Sequence, residues 1–315
     1  MGSGMQRFRT VVAEQDSGDR RYDTVLFDLY GTLVDIRTDE DDPEAWETLR
    51  DFLDEAGAHY DSADQLRDRF MGARALSSAV PVGHDPAFYE PDLLPTYRAM
   101  FSLRGMRVGE RLSRKAAWVF RQASTRLIWL YPGALDMLKL LKGRGLRVVL
   151  LSNAQSCYTR PELTMLGLDD VFDDILISSE EHVRKPGKKF FARALDRAGT
   201  TADRTVMVGN DESNDILGAR HAGIDGVYLR TGISPYSDPM ESAGALLSPK
   251  GAPYEGLGNI LVAWPAGQPA QPSYRRSVPR STRCGCTISC GVSSGSSRMS
   301  ASAFCAALIP ISRGF

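Results

Sequence analysis

Asp28, Ser152, Asn153, Lys185, Asn210, Asp211 and Asp215 are the residues of this chain whose types and positions could do chemistry together. Asp28, Ser152 and Asn210 each follow a short apolar run, Thr24–Phe27, Val148–Leu151 and Val206–Val208, and Lys185 lies between a third such run and the helical pattern after it. A carboxylate able to attack, a hydroxyl, an ammonium and a downstream acidic pair suit the handling of a phosphate, whose transfer needs positioning and charge stabilisation more than covalent machinery. Singly, each has a structural explanation. Asp28 and Ser152 could serve strand-end turns, Lys185 could be a surface lysine, and Asp215 could cap a helix starting near Ile216.

These side chains meet only if the runs preceding them end at one rim. The runs are short and apolar, as in strands buried on both faces. With Ile175–Ile177 and Gly226–Leu229 there are five of them, separated by helical patterns. One such helix is opened by Pro132 and Gly133, carries Leu135, Leu138 and Leu141 inward, and is closed by Gly145. The alternation predicts right-handed βαβ units in a parallel sheet, with ligands at the carboxyl ends of the strands. From Arg37 to Ile128 the period is helical, with clusters such as Trp46, Leu49, Phe52 and Leu53, then Trp118, Val119 and Leu127. The expected fold class is α/β, a Rossmann-like parallel-sheet core with an inserted all-helical unit. The core covers 22–36 and 129–264, and the insertion covers 37–128. Residues 1–21 are polar and expected to be disordered, as is the tail 265–315, which is rich in Ser, Gly and Pro and has six arginines and no acidic residue.

The segment Phe27-Asp28-Leu29-Tyr30-Gly31-Thr32-Leu33 resembles the first motif of the haloacid dehalogenase-like superfamily. Leu151-Ser152-Asn153 is similar to its second motif, Lys185-Pro186 to its third, and Val208-Gly209-Asn210-Asp211-Glu212-Ser213-Asn214-Asp215 to its fourth. The four occur in the family's order, and the resemblance spans about residues 22 to 262. It implies that Asp28 is a nucleophile forming an aspartyl-phosphate, which splits hydrolysis into two easier steps. It implies Mg²⁺ held by Asp28, the backbone carbonyl of Tyr30 and the polar group after the fourth strand, among Asn210, Asp211 and Asp215. Ser152 and the Asn153 N–H would donate to the phosphoryl oxygens, Lys185 would add positive charge, and Gly31 and Thr32 would face the substrate. The insertion between the first two motifs would be a cap closing over the site.

The sequence departs from the phosphatase pattern at Tyr30, where phosphatases of the superfamily usually carry a second Asp that protonates the leaving group. Tyr there is similar to the metal-independent 2-haloacid dehalogenases, whose departing halide needs no proton. Asp211 and Asp215 argue the other way, because those dehalogenases are depleted of metal-binding carboxylates at that point. The principal expectation is a Mg²⁺-dependent phosphatase for a small phosphorylated metabolite. A dehalogenase-like hydrolase, with Arg37, Arg50 or Arg67 available for a halide, and a non-catalytic phospho-ligand-binding protein are the alternatives. A good leaving group such as an acyl phosphate, or an acid from Asp39, Glu40, Asp41 and Asp42 at the entrance of the insertion, would compensate for Tyr30.

The net charge of −1 supplies no global field for nucleic acid or anionic membrane, and no specific nucleic-acid partner is expected. No apolar run approaches the roughly 20 residues of a membrane span, so neither membrane association nor a leader is expected, and the chain reads as cytoplasmic. Only Cys157 lies in the part expected to fold. Cys284, Cys286, Cys290 and Cys305 lack the paired spacing of a zinc site. His59, His84, His182 and His221 read as structural or exposed. Nothing in the sequence sets the oligomeric state.

Overall fold

The computed structural model describes residues 20–249 and 254–263. The expectations of disorder for residues 1–19 and for the tail from 265 onward, and the tail cysteines, lie outside the described residues. Arg20 and Arg21 are already held: Arg20 donates to the backbone oxygens of Arg144 and Gly145, and Arg21 pairs with Asp225.

In chain order the elements are β1 (Thr24–Phe27), β2 (Val34–Thr38), α1 (Pro43–Glu55), α2 (Ala63–Ser77), α3 (Leu94–Ser102), α4 (Glu110–Ser124), β3 (Thr125–Leu130) and α5 (Ala134–Gly143). There follow β4 (Arg147–Ser152), α6 (Ser156–Met165), β5 (Asp174–Ile177), α7 (Ser178–Glu181), α8 (Lys188–Ala198) and β6 (Thr205–Gly209). A π-helical segment, Glu212–Leu217, leads into α9 (Gly218–His221), and β7 (Asp225–Tyr228) and α10 (Tyr254–Ala263) are the last elements among the described residues.

Strands β1, β4, β5, β6 and β7 form one parallel sheet in the order β5-β4-β1-β6-β7. The continuous apolar runs have a simple cause. Successive side chains of a strand point to opposite faces, and here both faces are covered. Val25, Phe27, Val148, Leu150, Val206 and Val208 enter one core with α5 and α10. Leu26, Val149, Leu151 and Met207 enter another with Phe190 and Phe191 of α8. The strand order reverses at β1, the switch point where an open α/β sheet presents its ligand crevice, and Asp28 is the first residue beyond that strand.

The insertion corrects one expectation. It is not helical throughout: β2 and β3 pair antiparallel, with Ile36 opposite Ile128, and form a two-stranded ribbon at its two ends. The helical period of the intervening segment hides the ribbon, because its strands lie far apart in sequence and each is only half-buried. Between them α1 to α4 enclose their own core of Trp46, Leu49, Phe70, Tyr97, Phe101 and Phe120. Trp46 and Phe70 meet edge to face at 5.3 Å between centroids. Asp42 and Ser62 cap the starts of α1 and α2 with their side chains.

This helical core reaches the sheet through α6, which contributes Cys157 and Tyr158 to it. Beside them lies a buried ion pair, Arg121 Nε of α4 to Glu162 Oε1 of α6 at 2.6 Å. Removing one partner of such a pair leaves an uncompensated buried charge, at a cost of about 3–5 kcal/mol. Urea denaturation of Glu162→Ala or Arg121→Ala should register a loss of about that size, and Arg121→Met/Glu162→Leu should recover most of it. A single variant within about 0.5 kcal/mol of wild type would mean that the pair contributes no more than an ordinary surface contact.

Candidate active site

Asp28 is fixed by its backbone N–H, which donates to the Val208 carbonyl at 3.0 Å, so β6 sets its position. The chain then turns tightly, with the Leu29 carbonyl accepting from the N–H groups of Thr32, Leu33 and Val34. Gly31 makes the turn possible at φ +87, and a Cβ there would lie 2.1 Å from Asn210 Nδ2. Both the dihedral and the close approach require glycine. The turn brings the Thr32 hydroxyl to 3.0 Å from Asp28 Oδ2 and 3.2 Å from Asn210 Oδ1. With a single proton it donates to one of them at a time.

Lys185 arrives from the loop before α8. Its ammonium is only 2% exposed as a residue and donates to Asp28 Oδ1 at 2.8 Å and Asp215 Oδ1 at 2.6 Å. The side chain of Asn153 splints the lysine's backbone, accepting from the Lys185 N–H at 2.8 Å and donating to its carbonyl at 3.0 Å. Asp215 is held on its other oxygen by the Asp211 N–H at 3.0 Å. It packs so closely on Gly209 that a Cβ there would come within 2.3 Å of it. Two carboxylates thus share one buried ammonium. Burial pushes the Asp215 carboxyl up to about 7, opposed by Lys185 and reinforced by Asp28. For Lys185 burial acts downward but is outweighed by Asp215 and Asp28, so its ammonium is held more firmly than usual.

Ser152, at the end of β4, is fully buried, and its hydroxyl has no hydrogen-bond partner among the described residues. A buried hydroxyl left unpaired costs free energy unless something else receives it. Asp211 goes elsewhere. Its carboxylate accepts from the Asn214 N–H at 2.8 Å and from Asn214 Nδ2 at 2.6 Å. Asp211 is therefore the residue that caps the helical segment after β6. Asp215, read from sequence as a possible cap near Ile216, sits inside that segment and faces Lys185. Of the downstream polar residues, Asn210 and Asp215 are in contact with the groups around Asp28, and Asp211 is not.

Tyr30 turns towards α6. Its hydroxyl donates to Glu162 and lies 2.9 Å from the Thr159 hydroxyl, while the Arg121 guanidinium stands 6.0 Å from its ring centroid. Burial, with the Glu162 carboxylate beside it, pushes the Tyr30 hydroxyl well above the usual range. Glu162 and Arg121 were not anticipated. Both lie inside amphipathic helices and carry no motif, and only their contact across two elements distinguishes them. The acidic run is already engaged: Asp42 caps α1 and pairs with Arg126, Asp41 pairs with Arg67, Glu40 lies 3.8 Å from the Arg121 guanidinium, and Asp39 receives the Asp41 N–H. Arg37 pairs with Asp35, and Arg50 with Glu47 and Asp51.

Comparison with known proteins places the chain in a family. The profile of the haloacid dehalogenase-like hydrolases matches residues 22–223. A phosphoserine phosphatase of Thermus thermophilus is 35% identical over 133 residues, 42% of this chain and 52% of that protein. A glyceraldehyde 3-phosphate phosphatase of Methanothermobacter thermautotrophicus is 34% identical over 104 residues, 33% of this chain and 46% of that protein. The chain thus spans about half the length of these curated relatives. A phosphoglycolate phosphatase of Agrobacterium fabrum is 28% identical over 66% of this chain and 81% of that protein. The crystal structure of a 2-haloacid dehalogenase from Pseudomonas syringae pv. Tomato superposes with a TM-score of 0.51 at 19% identity, covering 76% of this chain and 98% of that one, and so shares the fold. With the profile covering well over half of its length, the chain belongs to the haloacid dehalogenase-like hydrolase family.

Proposed function

We propose that this chain is a Mg²⁺-dependent phosphatase of a small phosphorylated metabolite, with Asp28 as nucleophile and the helical unit of α1 to α4 as a cap over the site. The observation that carries this reading is the Ser152 hydroxyl, fully buried and unpartnered at the same strand rim as the Lys185 ammonium and Asp28. A phosphoryl oxygen is the kind of acceptor that such a hydroxyl lacks. The phosphatase names of the relatives support the same substrate class.

In the proposed reaction a carboxylate oxygen of Asp28 attacks phosphorus, the bond to the leaving oxygen breaks, and an aspartyl-phosphate forms. Water then attacks phosphorus, phosphate leaves, and the carboxylate is restored. Lys185 and Thr32 hold the two carboxylate oxygens in a fixed orientation, and Lys185 and Ser152 offset charge on the transferring group. The donors suit a hard cation. Asp28 Oδ2 and Asn210 Oδ1 converge on one hydroxyl at 3.0 and 3.2 Å, and Mg²⁺ commonly takes one or two carboxylates and completes its shell with phosphate oxygens and water. Asp28, Asn210 and the Tyr30 carbonyl would hold it, and it would screen the phosphate charge from the attacking carboxylate. Both oxygens of Asp215 are already taken by Lys185 and the Asp211 N–H, so Asp215 serves as the positioning partner of the lysine.

Tyr30 is committed to Glu162 and is a poor acid, so the leaving group departs without the usual proton donor. A second reading, hydrolysis at a carbon–halogen bond, draws on the same residue, because a halide needs no proton. The two separate on metal dependence, since only phosphoryl transfer requires the cation.

A screen of phosphorylated metabolites with Mg²⁺ should find phosphate release that EDTA abolishes and that Asp28→Asn lowers by at least about 10³-fold; equal release by both proteins ends the nucleophile assignment. Lacking acid catalysis worth roughly 10² to 10⁴-fold, the enzyme should favour acyl or p-nitrophenyl phosphate over alkyl phosphates by a kcat/KM ratio of that order. Comparable rates on both classes would reveal a proton donor other than Tyr30. A third expectation concerns pH. The Asp215 carboxyl titrates at 3.8 when unperturbed and at about 7 when folded. Its bound proton therefore stabilises the fold fully below the lower value, and that contribution is lost as pH rises through the higher one. Thermal midpoints of wild type, measured relative to Asp215→Asn, should fall from pH 4 to pH 7, roughly the span between those two values. A difference that stays constant across that window contradicts the shift.

A further inference from the structure

A cavity of about 620 Å³ lies between the segment joining α2 to α3 and the loop that follows Lys185. Its size falls in the range of about 300–1,000 Å³ typical of small-molecule sites. Neither Asp28, Ser152, Lys185 nor Asp215 lines it.

Two kinds of chemistry face one another there. One side is a row of flat rings. His84 meets Tyr89 edge to face at 5.2 Å between centroids, and Tyr89 lies nearly parallel to His182 at 6.1 Å, with Phe88 alongside. The Nδ1 of His84 is shielded from solvent and has no hydrogen-bond partner among the described residues. The other side is the start of α8, where Gly187 provides no side-chain cap and Lys188 and Lys189 stand exposed. Neither lysine has an ion-pair partner among the described residues. Of the acidic residues nearby, Glu181 is paired with Arg193 and Arg197, and the Asp85 carboxylate, which also lines the cavity, accepts from the Ala87 N–H and keeps its charge. The walls are held in register. The Arg184 N–H donates to the Phe88 carbonyl at 2.9 Å, and a Cβ on Gly187 would come within 2.9 Å of Phe88.

We propose that this cavity is a second binding site, separate from the catalytic rim, for a small heteroaromatic anion of the nucleotide class. Its base stacks against the nearly parallel Tyr89 and His182 rings, and the unpaired His84 Nδ1 reads a polar edge. Its phosphate is received by Lys188 and Lys189 at the start of α8. Pro186 and Gly187, the two residues after Lys185, form part of the wall, so an occupant touches the segment that carries the catalytic-rim lysine.

The test is calorimetric titration of the full chain with ADP in EDTA, on wild type, Lys188→Glu/Lys189→Glu and Tyr89→Ala, with adenosine and inorganic phosphate as separate probes. Each variant is first matched to wild type in thermal midpoint, so that a folding defect is not read as lost binding. The expected result is one site for ADP, weakened at least about tenfold by either variant, with adenosine and phosphate each binding more weakly than ADP by a similar factor. No binding of ADP overturns the proposal, as does ADP binding that both variants leave intact, which assigns the nucleotide to another surface. Phosphate binding as tight as ADP overturns the stacking half and with it the ligand class. Because no turnover is measured, these outcomes stand whether or not the phosphatase reading holds.

Discussion

One ammonium among carboxylates organises this molecule. Lys185 is almost wholly withdrawn from water, and a charge so placed is tolerated only when its partners and hydrogen bonds are complete. Asp28 and Asp215 provide those partners, at 2.8 and 2.6 Å. They come from the ends of two neighbouring strands, while the lysine comes from a loop on the other side of the chain reversal. The sheet order β5-β4-β1-β6-β7 makes that meeting possible, because β1 sits between β4 and β6 and the rim opens where the order reverses. The supporting contacts serve the same end. Asn153 splints the backbone of Lys185, the Asp211 N–H fixes Asp215, and Gly31 and Gly209 lack the side chains that would push Asn210 and Asp215 away.

The same constraint explains how the chemistry is divided. Asp28 and Asp215 share the single Lys185 ammonium, and the Ser152 hydroxyl at the same strand rim is left without a partner among the described residues. In the proposed reaction that deficit is what an incoming phosphate and its cation would satisfy. Tyr30 is drawn into a network with Glu162 and Arg121 that ties α4 to α6. Tyr30, two residues after Asp28, thus helps to hold the helical unit against α6.

The insertion itself shows how far local pattern reaches. Its helices follow from the apolar period around Trp46 and Leu49 and from side-chain caps at Asp42 and Ser62. The ribbon of β2 and β3 does not, because a strand that pairs with a distant partner and leaves most of its residues only partly buried leaves a weak local signature.

By itself the sequence determined the parallel sheet, because runs such as Val25–Phe27 and Val148–Leu151 are apolar at every position and can be satisfied only when both faces are covered. It also determined which residues stand at the strand ends, since Asp28, Ser152 and Asn210 follow directly from where those runs stop. What tertiary structure alone decided is which way their side chains turn. Asp211 and Asp215 are both acidic and four residues apart, yet one caps a helix and the other binds a buried lysine. Tyr30 and Glu162 are 132 positions apart and share a hydrogen bond. Such choices depend on contacts between distant segments, whose geometry is set by packing and has no counterpart in the order of residues along the chain.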